Sequence, residues 1–207
     1  MRLLLGLNSH DGLYTAVLKD QSPTPQNYRA ALQAIFGDRA EQALALYPGA
    51  TAAEIEKSAT ALSGDLFIAH STWRWMELQH ETGRAPVYFY LFAKPRPAKR
   101  HPEPDDVPAT GAVHSGEIEY ALGNLDGNNV YAWTAADRKV SRIMEGYFAN
   151  FIKTGDPNGQ GLPHWPAVHE SAGGLLRQTI DTDTRTEVDD GARRQAFLRD
   201  HFARQPQ

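Results

Sequence analysis

The stretch "APVYFYLFA", residues 85–93, decides how the rest of the chain is interpreted. It is aromatic, β-branched or otherwise apolar almost throughout, and glycine and proline bound it on the two sides. A short apolar run of this kind is typical of a β-strand. "RLLLGLN", residues 2–8, has the same continuous pattern, which buried parallel strands show in place of alternation. Two strands of one buried sheet are therefore predicted.

Helical patterns surround these two strands. The helices are predicted over 25–47 with a break at Gly37, 51–62 with a Thr51–Glu54 capping box, 63–82, 135–155 and 189–204. A proline-rich, charged segment, residues 94–111, is predicted as an exposed loop, and 173–180 with 184–190 as a β-hairpin. This order indicates the α/β class. Because a buried strand begins at residue 2, the other strands of its sheet are expected to come from elsewhere.

Composition excludes several classes of partner. Lys and Arg number 21 against 25 Asp and Glu, a net charge of −4, so binding to nucleic acid is not expected. The absence of cysteine rules out disulfides and thiolate zinc sites. No apolar run approaches the roughly 20 residues of a membrane span, and the run near Met1 is too short for a signal peptide. The compartment stays open.

Two polar residues lie where an active site could form. Asp11 follows the first strand on the turn "SHDG", and α/β folds place functional groups at the carboxyl ends of strands. Aspartate and glycine are also ordinary turn formers. His114 stands in a small-residue loop after the proline-rich segment, and its imidazole could act as base and then acid. A structural surface histidine is the alternative.

The segment "GAVHSGEIEYALGNL", residues 111–125, resembles the catalytic-histidine segment of the type-B carboxylesterases, the cholinesterase and bacterial para-nitrobenzyl-esterase group. The positions that match the pattern Gly-Ala-x-His-x-x-Glu-Ile-x-Tyr-x-x-Gly are Gly111, Ala112, His114, Glu117, Ile118, Tyr120 and Gly123. Downstream, "YFANFIKTGDPNGQGLPHWPAV" is similar to a second motif of the family, and "LLLGLNSHDG" resembles its stretch with the triad acid. The resemblance covers nearly the whole chain, 1–207.

The resemblance implies the C-terminal part of an α/β-hydrolase fold, with the last strands of the central sheet and their flanking helices. It implies a serine-dependent carboxylic ester hydrolase in which His114 is the general base and acid and Asp11 is the orienting acid. Most members of the family have glutamate at the position of Asp11. Glu117 would be a buried carboxylate supporting the histidine, or else a helix N-terminal acid. No metal or organic cofactor is implied.

"HESAGG", residues 169–174, differs by one letter from the family's nucleophile turn, Gly-Glu-Ser-Ala-Gly-Gly. Three observations argue against Ser171 as the nucleophile. His169 replaces the glycine at which the backbone bends, and a loop and a predicted strand flank the turn where a strand and a helix are needed. The order of an α/β-hydrolase triad is also serine, acid, histidine. A turn leading into the hairpin is the preferred interpretation.

The chain thus offers an acid and a base, with neither a nucleophile nor the glycine-rich oxyanion loop. A truncated gene product, a misannotated start and one piece of a split gene each explain this pattern. Partners are then a small-molecule ester and a missing N-terminal esterase half. The alternatives are a non-catalytic esterase-like binding domain and an inactive fragment. Three bulky residues of "STWRWMELQ", Trp73, Trp75 and Met76, are expected to pack on a helix face more readily than to line a substrate pocket.

Overall fold

The computed structural model of the chain describes residues 1–171 and 173–204, and these form two compact units. The first unit comprises Met1–Ser9 and Trp75–Asp189. The second comprises His10–Arg74 and the described residues from Asp190 onward. Whether the whole of 1–207 is part of one hydrolase domain stays a prediction.

The first unit contains a four-stranded sheet. Its strands are β1 (Leu3–Asn8), β2 (Val87–Phe92), β3 (Leu176–Ile180) and β4 (Arg185–Val188), in the order β1-β2-β3-β4. β1 pairs with β2 and β2 with β3 in parallel, whereas β3 and β4 are antiparallel. Both apolar runs are therefore strands of one sheet, and the hairpin near the C-terminus is confirmed. β1 lies at one edge of this order.

Helices occupy most of the remaining chain. Among the described residues the α-helices are α1 (Tyr14–Leu18), α2 (Pro25–Phe36), α3 (Ala40–Leu46), α4 (Ala52–Gly64), α5 (His70–Thr82), α6 (Ile118–Ala121), α7 (Ala135–Thr154) and α8 (Ala192–Ala203). A 3₁₀ turn at Gly37–Arg39 separates α2 from α3, as the glycine predicted. α7 begins with a capping box between Thr134 and Asp137 and ends at Gly155, whose φ is +75°.

The core of the first unit lies between β2 and α7. Its fully buried members include Phe92, Tyr120, Met144, Tyr147 and Trp165. Ring edges meet ring faces here: Trp165 approaches Tyr147 at 5.0 Å between centroids with an interplanar angle of 76°. Only glycine fits at position 6 of β1, because the Cβ of any other residue would come within 2.3 Å of the Tyr90 ring. Tight aromatic packing therefore fixes β1 on β2.

The second unit is helical and has its own core. Buried apolar side chains of α2, α4 and α8 form it, among them Tyr28, Leu62 and Leu198. A buried carboxylate, Asp65, accepts hydrogen bonds from the Tyr47 hydroxyl at 2.8 Å and the Gln195 amide at 3.0 Å. The buried charge is thus partnered within the unit, as burial requires.

The predicted helix start at Ser63 is wrong. The chain is helical on both sides of this residue, through α4 and then a π-helical segment, Asp65–Ala69. Ser63 is buried inside α4, and the turn after β1 packs directly against it: a Cβ on Gly12 would meet the Ser63 hydroxyl oxygen at 2.5 Å and the Gly64 nitrogen at 2.3 Å. Small residues are needed at positions 63 and 64 because the turn at Gly12 comes close to the helix there. A serine followed by a glycine is also typical of a helix end, and this explains the wrong prediction.

Candidate active site

His114 is exposed on a tight turn of the first unit, between the proline-rich segment and α6. The turn is closed by a hydrogen bond from the Gly116 N–H to the Val113 carbonyl, 2.8 Å. Ser115 adopts φ +63°, a conformation uncommon for residues other than glycine. A Cβ on Gly116 would come within 2.7 Å of the Val113 oxygen. The backbone on both sides of His114 is therefore tightly constrained.

The end of β1 holds this turn in place. Asn8 is 7% exposed, and its side-chain amide donates to the Val113 carbonyl at 2.8 Å and also to the Glu117 carboxylate. The next residue, Ser9, accepts a hydrogen bond from the Ala112 N–H at 2.9 Å. The end of β1 and the residue after it are thus joined directly to the His114 turn. Neither Asn8 nor Ser9 was identified from the sequence.

Arg96, in the proline-rich segment, supports the other side of the turn. Its Nη2 donates to the Ser115 carbonyl at 3.3 Å and to the Glu119 carboxylate at 2.7 Å. The guanidinium also lies 5.0 Å from the centre of the Tyr131 ring, within the range of a cation–π contact. Burial alone would raise the pKa of Glu119, but hydrogen bonds from Asn128 and Arg96 outweigh it and hold that pKa below its usual value. The Arg96–Glu119 pair is therefore ionised at neutral pH.

A buried ion pair lies beneath the helix that follows His114. Asp137 is fully buried, 2.6 Å from the Lys94 ammonium, and it accepts a hydrogen bond of 2.7 Å from the Tyr120 hydroxyl of α6. Ser141 of α7 donates to the Tyr120 carbonyl at 3.0 Å. Burial would raise the pKa of Asp137, but the hydrogen bonds from Lys94, Thr134 and Tyr120 hold it below its ordinary value. These contacts fix α6, and with it the His114 turn, to α7.

Asp11, the predicted acid, is half-buried on the turn between β1 and α1. It belongs to the second unit, whereas His114 belongs to the first. Its pairing with the histidine stays a prediction. Its neighbour His10 is partly buried, which lowers the pKa of that imidazole and favours its neutral form.

Glu117 is half-buried and accepts a hydrogen bond from the Asn8 amide. It also directly precedes the first residue of α6, Ile118. This position is that of an acid at a helix start, one of the two sequence interpretations, and the support of the histidine by this carboxylate stays a prediction. Its role in catalysis stays a prediction.

Ser171 lies in a turn that leads into β3. Its hydroxyl accepts a hydrogen bond from the Gly173 N–H at 3.0 Å, and the preceding Glu170 carboxylate accepts one from the Ala167 N–H at 2.9 Å. Ala172, within the same motif, lies outside the described residues. A strand follows the turn, whereas a nucleophile turn leads into a helix. This local structure agrees with the interpretation of Ser171 as a turn residue.

The described residues contain no cluster of metal ligands and no helix that could span a membrane. Among them, no three histidine, aspartate or glutamate side chains converge as metal ligands would. Within residues 1–171 and 173–204, no helix combines the length and the apolar character that crossing a bilayer requires.

Comparison with known proteins assigns the class. The chain matches the model of the carboxylesterase family over residues 1–197, and it belongs to that family. Two solved structures of PNB esterase superpose on 96% and 94% of the chain, with TM-scores of 0.63 and 0.66 and sequence identities of 25% and 27%. The predicted α/β-hydrolase fold is thereby confirmed. In both cases the chain covers 38% of the PNB esterase.

Curated relatives point to the same family. Carboxylesterase 5A of the dog, Canis lupus familiaris, is 41% identical over 125 residues, which are 57% of this chain and 20% of the relative. Human cocaine esterase is 38% identical over 86 residues, 42% of this chain and 15% of the relative. Pyrethroid hydrolase Ces2e of the rat, Rattus norvegicus, is 36% identical over 88 residues, again 42% and 15%. The chain thus aligns with about a fifth or less of these relatives.

Proposed function

We propose that the chain supplies the general base and the orienting acid of a serine carboxylesterase, His114 and Asp11 respectively. The nucleophilic serine and the oxyanion donors would come from residues outside these 207. The observation that carries the proposal is a pair of hydrogen bonds at the His114 turn: the Asn8 amide donates to the Val113 carbonyl, and the Ser9 hydroxyl accepts from the Ala112 N–H. They hold the His114 turn at the carboxyl end of β1, where α/β folds position catalytic groups.

The proposed reaction is acyl transfer in two steps. His114 removes the proton of the serine hydroxyl as the oxygen attacks the ester carbonyl, and then gives that proton to the departing alcohol. Water, deprotonated by the same imidazole, cleaves the acyl-enzyme to release the carboxylic acid. Asp11 would hold the imidazole in the required tautomer and stabilise its cation. An exposed imidazole on a constrained backbone suits a base that must meet a substrate.

The sheet supports a nucleophile from outside the chain. β1 is apolar throughout except for Asn8, yet it lies at the edge of the four-stranded order. A strand of that composition is typical of a position between two neighbours. The proposal therefore expects further parallel strands beside β1, contributed by the polypeptide that carries the serine.

The proposed substrates are carboxylic esters of small molecules. The relatives include a protein named for cocaine hydrolysis and one named for pyrethroid hydrolysis. Those activities belong to those proteins. What comes to this chain is the proposal of the shared class, esters cleaved through an acyl-enzyme.

Hydrolysis of para-nitrophenyl butyrate tests the proposal. The purified chain is assayed alone and after mixing with a separately expressed N-terminal part of PNB esterase, a combination called the mixed enzyme. PNB esterase divided at the same place and mixed in the same way is the positive control. The expected result is activity only on mixing, and its loss in His114→Ala but not in His101→Ala, an exposed histidine of the proline-rich segment.

Two results would contradict the proposal. If the divided PNB esterase recovers activity and the mixed enzyme does not, the chain is a binding domain or an inactive fragment. If the chain alone is active and Ser171→Ala abolishes that activity, Ser171 of "HESAGG" is the nucleophile and His114 does not depend on a serine from outside the chain.

A further inference from the structure

A cavity of about 350 Å³ lies beside the His114 turn, within the first unit. The proline-rich segment forms most of its wall, whose residues include Arg96, Lys99, Asp106, Ala109, Val113 and Tyr131. The volume is at the lower end of the range for small-molecule sites, enough for one ring or a short alkyl chain. Val113 immediately precedes the histidine. The cavity therefore adjoins the backbone of the candidate base.

The charges of the wall are already paired. Arg96 binds the Glu119 carboxylate at 2.7 Å, and Lys99 binds Asp106 at 2.5 Å. An ion entering the cavity would lose hydration, and apart from the buried Arg96 Nε–H, which has no hydrogen-bond partner among the described residues, it would have to compete with these pairs. The rest of the wall is proline, alanine, valine and the Tyr131 ring. An uncharged apolar group gains from burial against such a wall, at about 25 cal/mol per Å².

The wall is stiff before any ligand arrives. The segment 94–111 contains five prolines, each with its φ restricted by the ring. Two backbone hydrogen bonds tie it to the chain before α7: the Arg100 N–H to the Val130 carbonyl at 2.8 Å, and the Ala132 N–H to the Ala98 carbonyl at 2.9 Å. A preformed site loses little conformational entropy on binding.

We infer that this cavity is a binding site for an uncharged, apolar group of about the size of a benzene ring, and that it selects esters carrying such a group. The selection of esters rests on the proposed function, whereas the binding itself does not. A group in the cavity would contact Val113 and Arg96, and Arg96 also holds the Ser115 carbonyl. The occupant would thus touch Val113 on one side of His114, and it would touch Arg96, which holds Ser115 on the other side.

The first test measures binding to the purified chain alone, so that no nucleophile is needed. Benzyl alcohol is titrated while the amide and methyl NMR signals are followed, with benzylammonium and benzoate as charged probes of the same ring. The expected result is saturable shifts centred on Val113, Ala98 and Tyr131, with the neutral probe binding at least about tenfold more tightly than either ion. Equal binding of an ion, or shifts scattered over the surface, would overturn the inference.

A matched pair of variants locates the site. Ala109→Phe places a ring in the cavity and should weaken benzyl alcohol binding at least about tenfold. Ala136→Phe adds the same atoms on the exposed first turn of α7, outside the cavity, and should leave the affinity unchanged. Ala109 is exposed in a loop, so the substitution is compatible with folding, which the dispersion of the amide signals checks. Unchanged binding in Ala109→Phe would place the ligand elsewhere.

The mixed enzyme then distinguishes the two parts of the ester that could enter. Benzyl acetate has its ring on the alcohol, and methyl phenylacetate has its ring on the acyl group. Ala109→Phe should raise KM for one of the two esters about tenfold and leave the other unchanged. If benzyl alcohol binds but the mixed enzyme is inactive, the proposed function fails and the binding site stands. If the enzyme is active and benzyl alcohol does not bind, the inference alone fails.

Discussion

Two turns of the first unit resemble motifs of the same family, and their surroundings differ. The His114 turn is held by side chains from distant parts of the chain: Asn8 from the end of β1 and Arg96 from the proline-rich segment. At the second turn, the described hydrogen bonds of Glu170 and Ser171 reach only two or three residues along the chain. Side chains of distant segments thus hold the backbone of the first turn, whereas the second turn adds to its local hydrogen bonds a ring contact between His169 and His80 and a bond from the Val168 N–H to the Val87 carbonyl.

The difference shows what a motif match leaves out. A catalytic group must keep its geometry within a fraction of an ångström, and this requires support from packed neighbours. "HESAGG" has five of the six letters of a nucleophile turn but leads into a strand. The His114 segment matches its family motif and is also supported by Asn8, Arg96 and the buried pair of Lys94 and Asp137.

The difference between the two turns is tested most directly by removing the side chains of His114 and Ser171 one at a time. In the mixed enzyme, His114→Ala should lower kcat by at least about a thousandfold, because a triad without its base loses the activation of the serine. Ser171→Ala should leave kcat within about twofold, because its hydroxyl serves a local turn. Steady-state kinetics with para-nitrophenyl butyrate measure both. Equal losses in the two variants would mean that the turns do not differ in function.

The next largest effect should come from the ion pair beneath α6. Lys94→Met leaves the fully buried Asp137 without its cation, and broken buried pairs cost about 3–5 kcal/mol. Lys139→Met, on the exposed face of α7, is the matched control and should change the free energy of unfolding by less than about 0.5 kcal/mol. Urea denaturation measures both variants. A loss below about 1 kcal/mol in Lys94→Met would show that the pair does not secure the helix after His114.

A smaller effect is expected at the anchor from β1. Asn8→Ala removes the donor to the Val113 carbonyl and to the Glu117 carboxylate, and because that carbonyl keeps its bond from the Gly116 N–H, the loss is about 0.5–1.5 kcal/mol for each hydrogen bond removed. The loosened turn should also lower kcat in the mixed enzyme while KM changes little. Asn27→Ala, whose amide bonds an exposed carbonyl of the second unit, should change neither quantity. A normal kcat in Asn8→Ala would mean that the β1 anchor does not position the histidine.

The smallest effect is the loss of folding stability in acid that Asp137, the buried carboxylate beneath α6, should cause. Because its partners hold the pKa of Asp137 below the ordinary 3.8, the folded state favours the ionised form more than the unfolded state does. This contribution to stability is fully present above about pH 4 and is lost as the pH falls through the lowered pKa. The free energy of unfolding should therefore fall below pH 4, by at most about 1.4 kcal/mol per pH unit for this carboxyl. Asp137→Asn should remove that part of the acid dependence, and an unchanged slope would contradict it.

Local patterns were sufficient for most of the fold. The strands at 2–8 and 85–93 were found because a continuous apolar run has few other interpretations, and the observed bounds are Leu3–Asn8 and Val87–Phe92. The break at Gly37 was also predicted correctly. The short helix α1 was missed, since five residues carry too little periodicity to detect. Of the bulky residues in α5, Trp73 and Met76 are buried as packing predicted, whereas Trp75 is 54% exposed.

In the candidate site, too, some residues could be predicted from the sequence and others could not. His114, Asp11 and Glu117 were named because a short motif contains them. Asn8 was not, because it meets Val113 across 105 positions of sequence and no local pattern reports such a contact. Arg96 looked like one charge of a solvated loop until the fold brought it to the Ser115 carbonyl. Residues that position a catalytic group are recognised from tertiary contacts, which a single sequence does not display.

The place of β1 in the sheet order has a practical consequence for handling the protein. Edge strands are usually protected against pairing with other molecules by lysine, proline or a bulge. The stretch "LLLGLN" contains neither a charged residue nor a proline. A solution of the purified chain is therefore expected to aggregate through this strand as its concentration rises, by adding strands from other copies. Light scattering over a dilution series would detect it, and a polypeptide that covers β1 would act on the chain as a solubilising chaperone.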